Sequence, residues 1–355
     1  MSLLINLSAL MQQPTGISTY SYNVIKNLNN LEFELVAPFE ILPFPTHLSP
    51  GGLSAEYGIK GHIKRLVWLQ RSLPKLCQTL QTSLLFSPLP EAPLGTQTPS
   101  VVMMHDLIPL RFGRKFSPIS LYNRFYVPAV LQQARHILCN STTTAKDLSH
   151  FFQIPAQKIT TIPLAYDAEQ FRWLNLATRN YFLFIGRMPP YKNVERLLKA
   201  FAQMTSLGDY ELWFVGPTDP RYTPPLQTLA AQLNVVERVK FLDYVAYADL
   251  PIVINQAIAL VYPSLWEGFG LPVLEAMACG TPVITSNQSA LPEVTGDAAL
   301  LVDPYQVEAI AAAMRAIATD AQLRKQLRQA GLARAKQFSW AKTGAETAAV
   351  LKHFM

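Results

Sequence analysis

Short apolar runs alternate with stretches of helical periodicity along the whole chain. In the first half the runs are LLINL, FELVA, LLFSP, VVMMHD and HILCNS, with KITTIPLA after them. In the second half they are YFLFIG, ELWFVG, VKFLDY, ALVYPS, PVITSN and ALLVDP. Strand-length apolar runs separated by helical patterns predict an α/β protein of parallel sheets with helices on both faces. The segment from Pro163 to Asn180 has weak periodicity and falls between the two series, so it marks a junction. An N-terminal domain is expected over residues 1–167 and a C-terminal one over 168–339. Helical pattern runs from Ala321 onward and breaks near Phe338-Ser339-Trp340. Phe39 to Gly61, rich in Pro, Gly and Ser, reads as a long loop.

The expected architecture is two Rossmann-like domains, their parallel sheets facing across a cleft. In such sheets ligands bind beyond the carboxyl ends of the strands. Gly16, His105-Asp106, Gly186-Arg187 and Glu267 all follow apolar runs and fall at those ends.

Composition narrows the class. With 355 residues, half of them hydrophobic, the chain is globular and large enough for two cores. No apolar run approaches a membrane span, and the N-terminal MSLLINLSALMQQ lacks the basic region of a secretory signal. Cys77, Cys139 and Cys279 are odd in number and far apart, which suits core residues in a reducing, cytoplasmic setting better than disulfides or zinc. The net charge is +6. Residues 1–167 carry 13 Lys and Arg against 8 Asp and Glu, and the remainder 17 against 16. The surplus in the first half fits an anionic membrane or acceptor. No basic cluster is interleaved with aromatics, so nucleic acid is not an expected partner.

The chemistry concentrates between Tyr262 and Asn287, YPSLWEGFGLPVLEAMACGTPVITSN. It reads as strand, glycine loop, helix, small-residue turn and strand. Gly268 and Gly270 flank Phe269 and allow backbone N–H groups to face outward. Pro272 suits the first position of a helix, with Glu267 on the preceding loop and Glu275 in the first turn. Free N–H groups at a helix start bind phosphate. Two acids beside such a cradle would repel an anion, unless they accept hydrogen bonds from hydroxyls of a ligand that also carries phosphate. A nucleotide sugar is such a ligand.

Glu267 and Glu275, seven residues between them, with GFGLP inside and GTPV after, resemble the retaining glycosyltransferases of the GT-B fold, family 4 type. The resemblance implies that Glu267 contacts the transferred sugar and Glu275 the ribose, and that Gly268, Phe269, Gly270 and Leu271 lie on the donor. In FIGRMPPYKN it implies that Gly186 approaches the donor and that Arg187 and Lys192 hold its diphosphate; two cations on one strand-end loop suit that charge. Where Tyr191 stands the family often has a basic or polar residue. Gly16, in QQPTGISTY, resembles a turn that approaches the donor phosphates, although the family's second glycine is Ser18 here. His105 and Asp106 open a His-Asp-Leu-Ile-Pro phrase found in the family's mannosyltransferases. There the histidine lies against the donor sugar, and the aspartate orients it or a backbone loop. Val239 to Pro251, with Val245, resembles the stretch that cups the base, and Asp243 stands where the family often has glycine. The first domain would take the acceptor and be completed by a C-terminal helix over 340–355.

The implied activity is transfer of a hexose, mannose favoured with GDP-mannose as donor, to a glycan or lipid-linked acceptor with retention. No Asp-x-Asp pair is present, so neither a metal nor another cofactor is expected. Rivals are a sugar phosphorylase or epimerase of the same fold, and a silent nucleotide-sugar-binding subunit. No Schiff-base lysine stands out for the first, and the full set Glu267, Glu275, Arg187 and Lys192 argues against the second. Finally, Tyr57 to Leu80 sets Lys60, Lys64, Arg65, Arg71 and Lys75 beside Ile63, Leu66, Val67, Leu73 and Leu76. Helical spacing gathers much of the apolar set into one stripe with cations on its flanks, a pattern for a packed surface helix or for peripheral contact with an anionic membrane.

Overall fold

The computed structural model describes residues 2–11, 16–113, 118–204 and 209–355. The chain divides into two compact units, Met1–Leu164 with Trp340–Met355, and Ala165–Ser339.

Among the described residues the first unit has strands β1 (Leu3–Asn6), β2 (Phe33–Ala37), β3 (Thr46–Leu48), β4 (Leu84–Ser87), β5 (Ser100–Met104), β6 (His136–Cys139) and β7 (Ile159–Thr161). They form one sheet in the order β3-β2-β1-β4-β5-β6-β7. Every pairing is parallel, and Leu3 lies opposite Phe33 on one side and Leu84 on the other. Leu3, Leu4, Ile5, Leu84, Leu85 and Phe86 have no exposed surface. Both faces of the sheet are covered, which is why these runs are continuously apolar and do not alternate.

The second unit repeats the plan with β8 (Tyr181–Ile185), β9 (Glu211–Val215), β10 (Val239–Leu242), β11 (Ala259–Tyr262), β12 (Val283–Ser286) and β13 (Leu300–Val302). Their order is β10-β9-β8-β11-β12-β13, again all parallel. In both sheets the order reverses beside the first strand, between β1 and β4 and between β8 and β11. Chains leave such a switch point in opposite directions, which opens a crevice beyond the strand ends.

The helix Trp340–Phe354 belongs to the first unit. A Cβ on Gly344 would lie 2.4 Å from Cβ and O of Asn27, so only glycine lets this helix pack so closely there. Thr343 Oγ1 donates to the Pro163 carbonyl at 2.8 Å.

Two sequence readings are corrected. Phe39–Gly61 is not wholly a loop: β3 lies inside it, and a helix starts at Gly58. Three strand residues are too few for periodicity to register. In the basic segment the helix breaks at Ser72, giving Gly58–Arg71 and Leu73–Thr79. Leu69, Leu73 and Cys77 are the buried side, whereas Ile59, Ile63 and Val67 face out at 60%, 57% and 48% exposure. Arg65 is not a surface cation but is buried and paired with Glu91. Among the described residues no helix is long and apolar enough to cross a membrane.

Candidate active site

β8 ends at Ile185, and Gly186 and Arg187 follow at the switch point of the second sheet. A single 3₁₀ turn, Pro190–Lys192, leads into the helix Val194–Ala202. Between them Asn193 takes a left-handed backbone, φ 62°. Its amide donates to the carbonyls of Pro263 (3.0 Å) and Pro304 (2.6 Å), and its Oδ1 accepts from Arg196. The N–H of Leu265 donates to the Tyr191 carbonyl at 2.7 Å. These bonds stitch the loop after β8 to the loop after β11.

The stitching brings Lys192 to Glu267. Lys192 Nζ lies 2.6 Å from Glu267 Oε1 and 2.6 Å from Tyr262 Oη. Tyr262 and Glu267 are buried. Burial alone would depress the lysine pKa, but the Glu267 charge and then Tyr262 outweigh it and hold the group above its ordinary range, so it stays charged. Burial, and then Glu267, raise Tyr262, which stays a phenol. The phenol accepts from Lys192 and is hydrogen-bonded to Glu267. An ammonium has three donors. Two are committed here, and the third has no partner among the described residues.

Arg187 is exposed and makes no hydrogen bond among the described residues. Its charge reaches Asp219, whose carboxyl is lowered to about 2, chiefly by hydrogen bonds from Arg221.

The helix after β11 starts at Leu271 and runs to Ala278. Gly270 has φ 114°, which strains any residue with a side chain, and a Cβ there would push on Leu291 Cδ2 at 2.7 Å, so the turn favours glycine. Val273 and Leu274 return their N–H groups to the Gly270 carbonyl. The N–H groups of Gly268, Phe269, Gly270 and Leu271 have no partner among the described residues. The Phe269 ring is buried against Phe338, edge-on with centroids 6.0 Å apart, so only its backbone is available to a ligand.

Glu275 is the fifth helical residue and not in the first turn, because Gly270 caps the helix one residue earlier than Pro272 suggests. Its carboxyl is pushed up to about 7 by burial and then by the charge of Asp167. Asp167 Oδ1 accepts from the N–H groups of Glu169 and Gln170 at 3.0 and 3.2 Å, and its side chain is hydrogen-bonded to Tyr247. Val245 lies half-buried in the loop between β10 and the helix Leu250–Gln256, beside the exposed ring of Tyr244. Asp243 uses its carboxylate locally, accepting from Thr218 N–H at 2.9 Å.

Gly16, His105 and Asp106 lie at strand ends in the first unit. Gly16 is the exposed first residue of the helix Gly16–Lys26, and a Cβ on it would meet nothing. Residues 12–15 of that turn lie outside the described residues. His105 Nε2 is 2.9 Å from the Pro88 carbonyl, and its ring meets Tyr20 edge-on at 4.9 Å. A carbonyl only accepts, so Nε2 carries the proton and Nδ1 is left as an acceptor. Burial lowers the His105 pKa to about 4, against the opposing Pro88 bond, so the ring is neutral. Asp106 Oδ1 accepts from Ile108 N–H at 2.9 Å and holds the start of the helix Ile108–Phe112.

Sequence reasoning missed Tyr262, Asn193 and Asp167. Tyr262 closes an apolar run, where an aromatic reads as core. Asn193 and Asp167 act through contacts with residues 70 or more positions away, or through a charge that spacing does not reveal.

Residues 166–334 match the family model described as "Glycosyl transferases group 1", and residues 14–170 the one described as "Glycosyltransferase Family 4". Among curated proteins, O-antigen chain mannosyltransferase B of Escherichia coli is 36% identical over 234 residues, covering 59% of this chain and 58% of that protein. O-antigen chain mannosyltransferase RfbU of Salmonella typhimurium is 33% identical over 204 residues, covering 57% and 56%. The chain thus spans less than two thirds of the length of these relatives. Among solved structures, sucrose-phosphate synthase of Thermosynechococcus elongatus superposes with a TM-score of 0.78 over 99% of this chain and 98% of that one. At 20% identity that is a likeness of fold.

Proposed function

From the premise that the chain belongs to the family 4 type of glycosyltransferases with the GT-B fold, we propose that it moves a hexose from a nucleotide diphosphate sugar to a glycan or lipid-linked acceptor in polysaccharide or glycoconjugate synthesis. Mannose from GDP-mannose is the favoured donor. That choice is supported by the His-Asp-Leu-Ile-Pro phrase and by relatives named as mannosyltransferases.

The single observation that carries the reading is the buried Lys192–Glu267–Tyr262 cluster at the switch point of the second sheet. The bond from the anomeric carbon to the diphosphate oxygen breaks. The third Lys192 donor, Arg187 and the N–H groups of Gly268 to Leu271 stabilise the departing diphosphate. Glu267 lies where positive charge builds on the ring. The acceptor hydroxyl attacks the same face and its proton passes to the departing phosphate, so configuration is retained without a protein nucleophile. Glu275 takes the ribose hydroxyls, and in the first unit His105 Nδ1 is an acceptor that suits a hydroxyl. The cations supply the charge that a metal would otherwise bring, and turnover proceeds without one.

The exposed Ile59, Ile63 and Val67, four residues apart, lie among Lys60, Lys64, Arg71 and Lys75. This face supports peripheral attachment to anionic lipid on the cytoplasmic side, at about 1 kcal/mol per cation. The mechanism is tested by running the transfer in excess EDTA and reading the anomeric proton of the product by NMR. The expected product keeps the donor's α configuration at an unchanged rate. An inverted product, or activity lost to EDTA and restored by Mn²⁺, refutes it.

A further inference from the structure

β11 and β12 are parallel neighbours, so the loops that follow them leave the second sheet side by side. The loop after β11 runs from Pro263 to Glu267, and neighbouring loops hold it along its length. The Pro263 carbonyl accepts from Asn193 at 3.0 Å, the Leu265 N–H donates to the Tyr191 carbonyl, and the Glu267 N–H donates to Ser289 Oγ at 3.1 Å. Ser289 stands on the turn between β12 and the helix Leu291–Thr295. Just before it, Asn287 N–H donates to the Val302 carbonyl at 2.9 Å and Gln288 N–H to Ser286 Oγ at 3.0 Å, which fixes the turn to its own strand. Thr285 Oγ1 donates to the Tyr262 carbonyl at 2.8 Å and ties the two strand ends together.

Ser289 has a left-handed backbone, φ 60°. A side chain in that region strains the chain, and glycine would take it freely. Every other non-glycine residue with positive φ among the described residues is Asn or Gln. Strain of this kind persists only where surrounding bonds over-determine the conformation. What glycine would give up here is the hydroxyl oxygen that accepts from Glu267. That N–H has no other partner among the described residues, and the N–H groups of Gly268 to Leu271 beyond it have none there. Ser289 is therefore the last tether on this backbone before the free N–H groups begin. It acts on the residue whose carboxylate meets Lys192 Nζ at 2.6 Å.

We infer that Ser289 is a positioning residue for Glu267: its hydroxyl oxygen fixes the Glu267 backbone, and with it the place of the carboxylate beside Lys192. The effect on turnover rests on the proposed transferase reading, in which Glu267 stands at the reacting ring; the tether itself does not. A carboxylate on a loop free to shift by about 1 Å keeps its charge but loses its aim. The cost then falls on the transition state more than on nucleotide binding. A serine that served the turn alone has the opposite signature, because glycine relieves the strain and matches it in activity.

The full chain and its Ser289→Gly and Ser289→Ala variants are compared. Ser289→Gly suits φ 60° and removes the oxygen. Ser289→Ala removes the oxygen and keeps the strain, so it carries the test if glycine loosens the turn. Turnover is read as GDP release from GDP-mannose, and nucleotide affinity by calorimetry with GDP. The tether is read by NMR hydrogen exchange at the Glu267 amide, with Leu274 in the following helix as the control. In both variants kcat is expected to fall about 10- to 100-fold, while KM and GDP affinity stay within a factor of about two. The Glu267 amide should exchange about tenfold faster and the Leu274 amide as before. Unchanged kcat in the variants, unchanged exchange at Glu267, or a loss of GDP affinity as large as the loss of kcat overturns the inference. If the wild type releases no GDP while exchange at Glu267 quickens in both variants, the tether stands and the transferase reading falls. If the wild type turns over and the variants match it, the transferase reading stands and the inference falls.

Discussion

Glu275 makes nucleotide affinity depend on pH, with a sign and size that follow from its surroundings. Its carboxyl titrates at about 7, because burial and the nearby Asp167 disfavour the charged form. Only the carboxylate accepts from both ribose hydroxyls; the acid has spent one oxygen on its own proton. At pH 8 roughly nine tenths of the molecules carry the carboxylate, and at pH 5.5 about 3%. GDP should therefore bind about 30-fold more tightly at pH 8 than at pH 5.5, about 2 kcal/mol. Calorimetric titration across that range measures it. The terminal phosphate of GDP also titrates there, with a pKa near ~6. It does so equally against Glu275→Gln, so the wild-type to variant ratio isolates the side chain. Asp167→Asn should move the midpoint down. Stability shifts the opposite way. The folded pKa lies above the unfolded value, so the free protein binds more protons folded than unfolded. It loses up to about 3 kcal/mol as pH rises from about 4.5 to 7, then levels off. A ratio that stays flat from pH 5.5 to 8, with both proteins melting alike, refutes the reasoning.

Three further outcomes follow. Lys192→Ala and Arg187→Ala should each lower turnover by roughly two to four powers of ten in single-turnover assays. Only Lys192→Ala should also lower the Tm, because it leaves Glu267 buried without its cation. Tyr262→Phe should cut kcat about 10- to 100-fold with little change in KM, since it frees Lys192 and Glu267 without touching the donor. Lys60→Glu with Lys64→Glu and Ile63→Glu should abolish co-sedimentation with anionic vesicles at low salt and leave GDP release intact. Arg65 is left alone, since removing it strands buried Glu91 at a cost of about 3–5 kcal/mol.

The strands were legible because parallel sheets covered on both faces demand unbroken apolar runs, and VVMM or YFLFI can do little else. β3 was not, because three half-exposed residues carry no period. The glycine turn and helix start within Tyr262–Asn287 were legible because φ 114° at Gly270 favours glycine and Pro272 sits in the first turn of the helix. The partner of Lys192 stayed hidden. Nothing in FIGRMPPYKN shows that Asn193 will clasp Pro263 and Pro304 and so deliver the lysine to Glu267. Arg65 misled for the same reason: its charge sits on a helical flank in sequence, and only Glu91, 26 residues on, explains why it turns inward.

Release of nucleotide diphosphate from a panel of nucleotide sugars, followed for the wild type and Lys192→Ala, tests the central claim most directly. The expected result is release from one donor, GDP-mannose first among them, stimulated by a glycan acceptor and nearly abolished in the folded variant. No release from any donor, or equal release by Lys192→Ala, would contradict a transferase built on the Lys192–Glu267–Tyr262 cluster.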